Sequence, residues 1–415
     1  MVFGKGSTDT FLSEDEIREI CAEGLESIQP DGKKILCIIP DHTRTAPINV
    51  MFRIVYDLLA DRVRSLDFLI ALGTHPPMSD EMINARVGIT QSERFSKYPK
   101  ACFFNHYWDD PDQLVRIGTI SDDELDEISD GLLRQSTDVM INRMVLDADQ
   151  IVIIGPTFPH EVVGFSGGSK YLFPGVAGRE IIDMFHWLGA LITSSAIIGH
   201  SDTPVRQVVE KSTALLDSEP YLLALVVQNK ELAGLYAGPS HAAWQKAAEL
   251  SDKLHIVYKE NPFQQVLSCS PKMYDDLWTG AKCMYKLEPV VADGGELIIY
   301  APHISEISAT HGQTIREIGY HVRDYFTKQW DRFKNVPGGV MAHSTHVKGL
   351  GSFENGIEKP RIQVTLATSI PEEICKEINL GYRDPAGINP EEWQDREDEG
   401  ILYVPKAGEM LYRLK

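Results

Sequence analysis

The stretch KKILCIIP, residues 33–40, decides the fold of this chain. It is a short and nearly continuous apolar run, which is typical of a strand that is buried on both faces in a parallel sheet. Two more runs of this kind are LDFLIALGTH (66–75) and DQIVIIGP (149–156). Between the first two lies INVMFRIVYDLLADRV (48–63), which has the apolar period of a helix. Strands that alternate with helices predict a doubly wound α/β domain with a mostly parallel sheet.

The C-terminal part of the chain predicts a second α/β domain. GELIIYAPH (295–303) and RIQVTLATS (361–369) indicate its strands, and HSTHVKGLGSFENG (343–356) indicates a long polar loop. We expect an N-terminal domain over residues 1–265 and a C-terminal domain over residues 266–415, with the active site in the cleft between them. This division leaves open whether about the last 20 residues pack against the N-terminal domain.

Composition excludes several classes of partner. The chain has 415 residues, 43% hydrophobic and 24% charged, which is typical of a soluble globular protein. Its net charge of -20 argues against nucleic acid and anionic membrane surfaces as partners. No apolar run approaches the ~18 residues of a membrane helix, and the N-terminus lacks a signal peptide's apolar core. The six scattered cysteines contain no CxxC pair, which favours reduced thiols and a cytoplasmic location.

Polar residues follow each of the three predicted N-terminal strands. They are Asp41–Arg44, Gly73–His75 and the segment from Pro156 to Lys170. Because ligands of such sheets bind at the carboxyl ends of the strands, these residues predict a site. Arg44 can hold a carboxylate through two hydrogen bonds or form an ordinary salt bridge, and sequence favours neither. Either the two prolines after His75 fix the direction of its imidazole, or His75 caps a turn. Asp41 either caps the turn after its strand or binds a ribose hydroxyl.

The third of these segments continues to His186 and reads HEVVGFSGGSKYLFPGVAGREIIDMFH (160–186). Gly167 and Gly168, like Gly164, would let the backbone approach a ligand closely. A lysine at such a loop, here Lys170, neutralises a phosphate or serves as a nucleophile or attachment point. Tyr171 follows the lysine where a phosphate-binding P-loop has serine or threonine, so a phosphotransferase is disfavoured.

Four more residues could carry chemistry, and each has a simpler structural interpretation. His160 and His186 could act as acid/base groups or metal ligands, although a lone histidine on a helix, as His186 is, more often belongs to the core. Trp278 and Lys282 would share one face of a helix and could form an apolar wall beside a charge. A solvated lysine over an aromatic ring is the commoner arrangement. His106, in an aromatic neighbourhood, is more typical of a packed histidine.

Taken together, the motifs resemble the nickel-dependent lactate racemase family. The resemblance rests on DHTR (41–44), GTH (73–75), His160, SGGSKYLFPG (166–175) and His186 with its spacing. It implies a nickel pincer nucleotide, a pyridinium mononucleotide with two sulfur arms and a carbon–nickel bond. Lys170 would carry this cofactor covalently and His186 would bind its nickel. Asp41, Thr43, Gly167 and Gly168 would contribute to the cofactor site, and cofactor-maturation enzymes would be partners.

The resemblance also implies an isomerase, a racemase or epimerase that inverts C2 of a 2-hydroxy acid. Reversible hydride transfer to the cofactor would pass through a 2-keto acid. His75 and His160 would be the paired acid/base residues on opposite faces of the substrate carbon, and Arg44 would hold the carboxylate.

The C-terminal half departs from the pattern of the family. The family commonly shows a YQxxK motif, whereas this chain has Trp278-Thr279-Gly280-Ala281-Lys282. The lysine is retained, so the resemblance assigns a carboxylate role to Lys282, with Trp278 beside the substrate. The changed tyrosine and glutamine predict a substrate other than lactate, either a sugar acid such as an aldonate or another longer 2-hydroxy acid. The alternative is a non-catalytic protein of the same fold that binds a nucleotide or sugar acid, but such a protein would not need both His75 and His160.

Overall fold

The computed structural model describes residues 1–415, which form two compact units. The N-terminal unit comprises Met1–Phe158, Phe165–Ile182 and Arg206–Leu254. The C-terminal unit comprises Pro159–Gly164, Asp183–Val205 and His255–Lys415. The predicted domain boundary after residue 265 stays a prediction.

The first 254 residues contain eleven strands and most of ten helices. The strands are β1 (Phe3–Gly6), β2 (Lys34–Pro40), β3 (Ser65–Ala71), β4 (Ala101–Asn105), β5 (Leu114–Ile120), β6 (Thr137–Asn142), β7 (Gln150–Pro156), β8 (Pro159–His160), β9 (Gly164–Phe165), β10 (Tyr221–Gln228) and β11 (Glu231–Pro239). The helices are α1 (Glu14–Ser27), α2 (Ile48–Leu59), α3 (Asp80–Val87), α4 (Gln91–Ser96), α5 (Asp122–Ile128), α6 (Met144–Asp147), α7 (Arg179–Ile192), α8 (Ser194–Ile197), α9 (Pro204–Thr213) and α10 (Ser240–His255).

The main sheet of the N-terminal unit has seven strands in the order β1-β11-β10-β7-β2-β3-β4. The five strands from β10 to β4 are parallel, and β11 and β1 are antiparallel additions. The predicted parallel α/β sheet is therefore confirmed. In β2 and β7, six of seven residues are buried, because helices cover both faces of central strands.

The connections of this sheet reverse direction between β7 and β2. From β2 the chain moves outward to β3 and β4, and it later returns to β7 and continues to β10 on the other side. Loops that leave two such neighbouring strands diverge and open a crevice at the carboxyl edge, where α/β sheets bind ligands. The fold therefore points to the ends of β2 and β7 as a binding position.

The C-terminal unit is built on a second parallel sheet, as predicted. Its strands, with β8, are β12 (Ile256–Lys259), β13 (Phe263–Cys269), β14 (Val291–Ala301), β15 (Gly351–Glu354), β16 (Ile357–Pro360), β17 (Gln363–Thr368), β18 (Gly381–Tyr382), β19 (Ile401–Val404) and β20 (Leu411–Leu414). Five of them form a parallel sheet in the order β18-β17-β14-β13-β19. Its later helices are α11 (Leu277–Gly280), α12 (Lys282–Tyr285), α13 (Gly312–Ile318), α14 (Arg323–Thr327), α15 (Trp330–Phe333), α16 (Gly338–Lys348) and α17 (Glu372–Glu377).

Two predictions about the C-terminal unit are wrong. Residues 343–348 are not a loop, because they form the end of α16, in which every residue from Val340 to Val347 is buried. Burial on all sides compensates for the weak helix propensity of its Gly, Ser and Thr residues. The helix predicted around Trp278 and Lys282 is divided at Ala281 into α11 and α12.

No helix of the structure combines the length and apolar character that crossing a membrane requires.

Candidate functional site

The three predicted strand ends of the N-terminal unit are neighbours in the sheet. Asp41–Arg44 follow β2, Gly73–His75 follow β3, and the lysine loop, which we define as residues 166–175, comes after β7. Since β7, β2 and β3 are adjacent and parallel, these segments leave the same edge. The backbone N–H of Gly73 also donates to the carbonyl of Gly175 at 2.9 Å, which ties the second segment directly to the lysine loop.

The best-defined feature at this edge is an aspartate–histidine pair. The Nδ1 atom of His75 lies 2.5 Å from Oδ2 of Asp41. The other carboxylate oxygen, Oδ1, accepts hydrogen bonds from the Thr43 backbone N–H at 3.1 Å and from its hydroxyl at 2.7 Å. A carboxylate at Nδ1 favours the tautomer with a proton on that atom, so Nε2 is the ring nitrogen that can accept a proton.

Asp41 stays ionised although it is only 3% exposed. Burial opposes the negative charge, but the His75 charge and hydrogen bond, together with the Arg44 guanidinium and the Thr43 hydroxyl, outweigh it. The pKa of Asp41 is consequently held well below its usual value. A carboxylate of this kind orients an imidazole and stabilises its protonated form.

Two guanidinium groups lie near Asp41. Arg44 donates from Nη1 to the Thr43 hydroxyl at 2.9 Å. Arg86, on α3, donates from Nε to the carbonyl of Pro40 at 3.2 Å, and its Nη2 is buried without a hydrogen-bond partner. Burial lowers the pKa of Arg86, and the negative charge of Asp41 partly offsets this effect. Arg86 was not predicted as a site residue, since no motif surrounds it and only folding places it beside β2.

The missing Cβ atoms of the lysine-loop glycines make room for neighbouring protein groups. A Cβ atom on Gly167, whose φ is +83°, would lie 2.6 Å from the Thr157 hydroxyl, and one on Gly168 would lie 3.0 Å from the Trp244 side chain. Both glycines therefore let the loop pack against the protein itself. The same holds for Gly164 in the C-terminal unit, where a Cβ would collide with the carbonyl of His200.

Buried side chains hold the lysine loop in place. The indole Nε1 of Trp244 donates to the carbonyl of Ser166 at 2.9 Å, and the Arg206 guanidinium stacks 3.9 Å from the centre of the same indole ring. The hydroxyls of Ser169 and Ser240 are 3.0 Å apart. Lys170 itself lies half-buried in the single 3₁₀ turn Gly168–Tyr171. The loop is fixed on both sides of the lysine, so its backbone position is well defined.

Trp278 of the C-terminal unit lies between two histidines. Its indole stacks on His343 with a centroid distance of 4.1 Å, and the His311 ring lies tilted against it at 4.5 Å. Nε2 of His343 is 3.2 Å from the hydroxyl of Tyr320. Lys282 lies over the ring of Tyr274 at 4.4 Å, which matches the simpler interpretation of a lysine over an aromatic ring. The polar stretches 301–312 and 343–346, which contain these histidines, predict groups that reach a longer substrate, but their contact with Trp278 was not predicted, because they lie far from it along the chain.

Burial lowers the pKa of two histidines of this unit, His343 and His346. Burial, followed by the neighbouring imidazoles of His346, His311 and His186, lowers the pKa of His343 well below its usual value. The structure contains no group of three or more His, Cys, Asp or Glu side chains placed to hold a metal ion.

The residues directly after strand β8 hold the His160 side chain in the C-terminal unit. The backbone N–H of Val162 donates to His160 Nδ1 at 3.1 Å, and a carboxylate oxygen of Glu161 lies 3.3 Å from the same nitrogen. The side chain is 13% exposed. An acceptor role for Nδ1 favours the tautomer that carries its proton on Nε2, the opposite of the arrangement at His75.

His106 is a core residue, as the simpler interpretation of the sequence held. It is 1% exposed, its Nε2 bonds the carbonyl of Ala177 at 2.9 Å, and Asn142 donates to its Nδ1 at 3.2 Å. Burial lowers the pKa of His106 to about 4.

This buried histidine should make the protein sensitive to acid. Between its unfolded pKa of 6.5 and its folded value of about 4, only the unfolded chain gains the proton, so stability falls as pH falls. His106→Gln keeps a donor and an acceptor but cannot titrate. Between pH 7 and pH 4 the wild type should lose about 3 kcal/mol more unfolding free energy than this variant. Denaturant titrations over this range measure the difference; parallel losses would show that His106 does not contribute.

Comparisons with known proteins identify the family. Residues 15–199 match the family model described as lactate racemase N-terminal domain. Residues 15–199 therefore form a domain of the lactate racemase family. A lactate racemase from Thermoanaerobacterium thermosaccharolyticum is 24% identical over 71% of this chain and 67% of its own length. One from Lactiplantibacillus plantarum is 27% identical over 59% of this chain and 56% of its own length.

Two solved structures resemble the whole chain. A crystal structure of a Thermotoga maritima protein is 33% identical and covers 99% of this chain and 100% of its own, with a TM-score of 0.90. The lactate racemase apoprotein from T. thermosaccharolyticum superimposes with a TM-score of 0.73 at 20% identity, covering 97% and 94% of the two chains. The latter likeness shows that both chains share a fold. Membership of the family supports a racemase-type function.

The predicted site residues fall into two sets within this fold. Asp41, Thr43, Arg44 and His75 are in mutual contact in the N-terminal unit, beside the loop that carries Gly167, Gly168 and Lys170. His160, His186, Trp278 and Lys282 belong to the C-terminal unit. Their roles in catalysis and cofactor binding stay predictions.

Proposed function

We propose that this protein is a nickel-dependent racemase or epimerase that inverts C2 of a 2-hydroxy acid. The observation that carries the proposal is the buried Asp41–His75 pair, since a binding protein has no need of an imidazole oriented by an ionised carboxylate. The pair lies on the same sheet edge as the lysine loop. Membership of the lactate racemase family supports this reading of the geometry.

The residues present fit a nickel pincer nucleotide. Lys170 would offer an amine for covalent attachment on a loop of fixed backbone, and His186 would offer one imidazole to the nickel. Arg86 has a buried donor without a protein partner, which suits an anionic group such as a phosphate. When bound, this cofactor supplies a reversible acceptor for hydride from the substrate carbon.

His75 is proposed to take the hydroxyl proton of the substrate at Nε2. Loss of the hydride converts the alcohol carbon into a carbonyl, so the hydroxyl proton must leave in the same step. Asp41 receives the Nδ1–H of His75 and stabilises the imidazolium that forms. Because Asp41 is already ionised and held by Thr43, no reorganisation of the pair is required.

His160 is proposed to serve the opposite enantiomer. Inversion at one carbon needs an acid/base group for each configuration, and His160 is the second imidazole that the family resemblance assigns. To exchange a proton at Nε2, His160 has to carry its other proton on Nδ1, in place of the hydrogen bond that Nδ1 accepts from Val162. The carboxylate of Glu161, 3.3 Å from Nδ1, can stabilise the ring when it becomes protonated.

The substrate is proposed to be a sugar acid or another 2-hydroxy acid longer than lactate. Arg44 would hold the carboxylate, and Lys282 would contribute a second positive charge. In the C-terminal unit, Trp278 is flanked by His311 and His343, whose ring nitrogens can bond additional hydroxyl groups. A lactate methyl group would make no use of these polar atoms.

Metal analysis combined with intact mass tests the proposal. The protein should be produced together with cofactor-maturation enzymes, and Lys170→Arg serves as the control that keeps the positive charge but cannot form the same linkage. We expect one nickel ion for each wild-type chain and an added mass that peptide mapping places on Lys170. Neither should appear in the control. A wild-type chain without nickel and without added mass would exclude the proposed function.

A further inference from the structure

A cavity of about 50 Å³ lies within the C-terminal unit. It is lined by the end of α7 and the start of α8, by the start of α14, and by the end of α16 with the chain that follows it. Its polar lining includes Thr193, Ser194, Glu288, Arg323, Thr345 and His346. The Arg323 side chain is 40% exposed and that of Glu288 only 3%, so the cavity runs from an open side into the interior. One water needs ~10–15 Å³, so there is room for several groups of that size.

Two side chains of this cavity carry polar atoms that make no hydrogen bond within the protein. They are Nε2 of His346 and the hydroxyl of Ser194, and both atoms are buried. His346 is 5% exposed and Ser194 6%. Buried polar groups are nearly always hydrogen-bonded, because leaving one unpaired costs stability. A molecule bound in the cavity would supply the missing partners.

The backbone at the cavity is strained. Thr193, which follows α7, has a φ of +92°, a value that is rare for a β-branched residue. Gly349 belongs to the same lining and has a φ of +83°. It lets the chain pass so close to Glu288 that a Cβ would lie 2.5 Å from Oε1. Strained backbone of this kind is concentrated at functional sites, which agrees with a binding role for the cavity.

The charged groups of the cavity are already paired within the unit. Arg323 forms an ion pair with Asp324 at 3.1 Å. Oε1 of Glu288 accepts the backbone N–H of Leu350 at 2.7 Å, and the Arg361 guanidinium lies 3.7 Å from the same oxygen. A phosphate or a second carboxylate would therefore bring a charge for which the cavity has no unpaired opposite charge.

Hydroxyl groups match the remaining polar atoms. Burial lowers the pKa of His346 to about 4, so near pH 7 its neutral ring offers one donor and one acceptor. The hydroxyl of Ser194 can also act in either way. The Thr345 hydroxyl donates to the carbonyl of Ala342 at 3.0 Å and can still accept. Since a ligand hydroxyl both donates and accepts, it can pair with each of these atoms.

The cavity lies one helical turn beyond the aromatic residues of the C-terminal unit. On α16, His346 follows His343, which stacks on Trp278, by three residues, or ~4.5 Å along the same helix face. On α7, Ala190 of the cavity follows His186 by four residues and shares its face. Both helices therefore lead from the predicted substrate and nickel residues to the cavity.

We propose that this cavity is the subsite for the hydroxylated tail of the substrate, a 2-hydroxy acid with further hydroxyl groups beyond C2. The inference rests on the proposed function and specifies how the enzyme selects its substrate. Ser194 and His346 bond hydroxyls of the tail, and Glu288 offers a carboxyl oxygen at the closed end. Lactate ends in a methyl group, so it supplies no partner for the two unpaired atoms and is disfavoured.

The substrate preference of variants tests this subsite. Protein produced together with the maturation enzymes is titrated by calorimetry with gluconate, an aldonate, and with lactate. Wild-type protein should bind gluconate more tightly. Ser194→Ala and His346→Leu should each lower the ratio of the two affinities about tenfold, the effect of one lost hydrogen bond. Ser201→Ala, the same change at an exposed serine of this unit, is the control and should keep the wild-type ratio.

The melting temperature without ligand separates a binding role from a structural one. Ser194→Ala removes a buried hydroxyl that has no partner in the protein. The variant should therefore melt at the wild-type temperature or above it. A lower melting temperature would show that the hydroxyl supports the fold, and it would contradict the proposal.

Two binding results would also overturn the proposal. One is a wild-type affinity ratio in both Ser194→Ala and His346→Leu, which would leave the cavity to water. The other is binding of inorganic phosphate that both variants lose, which would make the cavity an anion site. Failure of the proposed function has a different signature. Protein that inverts no acid, yet prefers gluconate and loses this preference in the variants, would exclude the racemase and keep the subsite.

Discussion

Cofactor-loaded protein that carries His75→Ala is expected to lose racemisation by about 10²- to 10⁴-fold, the usual contribution of a positioned acid/base group. His75 is the only predicted acid/base residue whose Nδ1 contacts a buried carboxylate, so its Nε2 is the atom best prepared to take a proton. Nickel content should stay unchanged, since His75 is not assigned to the metal. Interconversion rates of both enantiomers, measured by chiral chromatography, give the result.

His160→Ala should show a loss of similar size. If the two histidines serve opposite configurations, each variant blocks the full interconversion, because both directions pass through both residues. His241→Ala, an exposed histidine on α10, is the control and should retain normal rates. Normal racemisation by either the His75 or the His160 variant would contradict the two-base assignment.

Asp41→Asn is expected to lower kcat by up to about 10⁴-fold, the size of the effect that this substitution has in Ser-His-Asp triads. An asparagine amide at this position can present an N–H to the imidazole, which favours the tautomer with the proton on Nε2. His75 could then no longer accept the substrate proton there. The hydrogen bonds from Thr43 can persist, because the amide oxygen also accepts, so the loop should keep its fold.

A positioning role for Asp41 is distinguished from a structural one by the kinetic parameters. We expect kcat to fall steeply while KM and the melting temperature change little, since Asp41 contacts His75 and not the substrate in this assignment. Thr43→Ser, which keeps the hydroxyl that bonds both Asp41 and Arg44, is the comparison and should have a much smaller effect on kcat. If the melting temperature of Asp41→Asn fell enough to explain the lost activity, the positioning role of Asp41 would be contradicted.

The sequence predicted the elements of the site better than their arrangement. The runs at 33–40, 66–75 and 149–156 became β2, β3 and β7, because an apolar run between polar loops has few alternatives to a buried parallel strand. Their adjacency depends on the strand order, which no local pattern encodes. The contact between Asp41 and His75 follows from that adjacency, since it joins the loops after two neighbouring strands.

What the sequence missed depends on contacts between distant segments. Arg86 reaches the end of β2 from α3, and His311 and His343 reach Trp278 from two other elements. The glycines of the lysine loop looked suited to a close ligand, but their missing Cβ atoms accommodate Thr157 and Trp244. Local spacing indicates which residues are reactive, whereas only the fold determines what surrounds them.

The most direct test of the proposed function is inversion of single enantiomers in D₂O. Cofactor-loaded protein should be incubated with a panel of chiral 2-hydroxy acids that includes lactate, aldonates and aromatic members, and the products analysed by chiral chromatography and mass spectrometry. We predict inversion at C2 of at least one longer hydroxylated acid, faster than of lactate, with the original hydrogen retained at C2. No inversion of any member by protein that carries nickel would contradict a racemase, and heavy deuterium labelling at C2 would contradict hydride return in favour of proton abstraction.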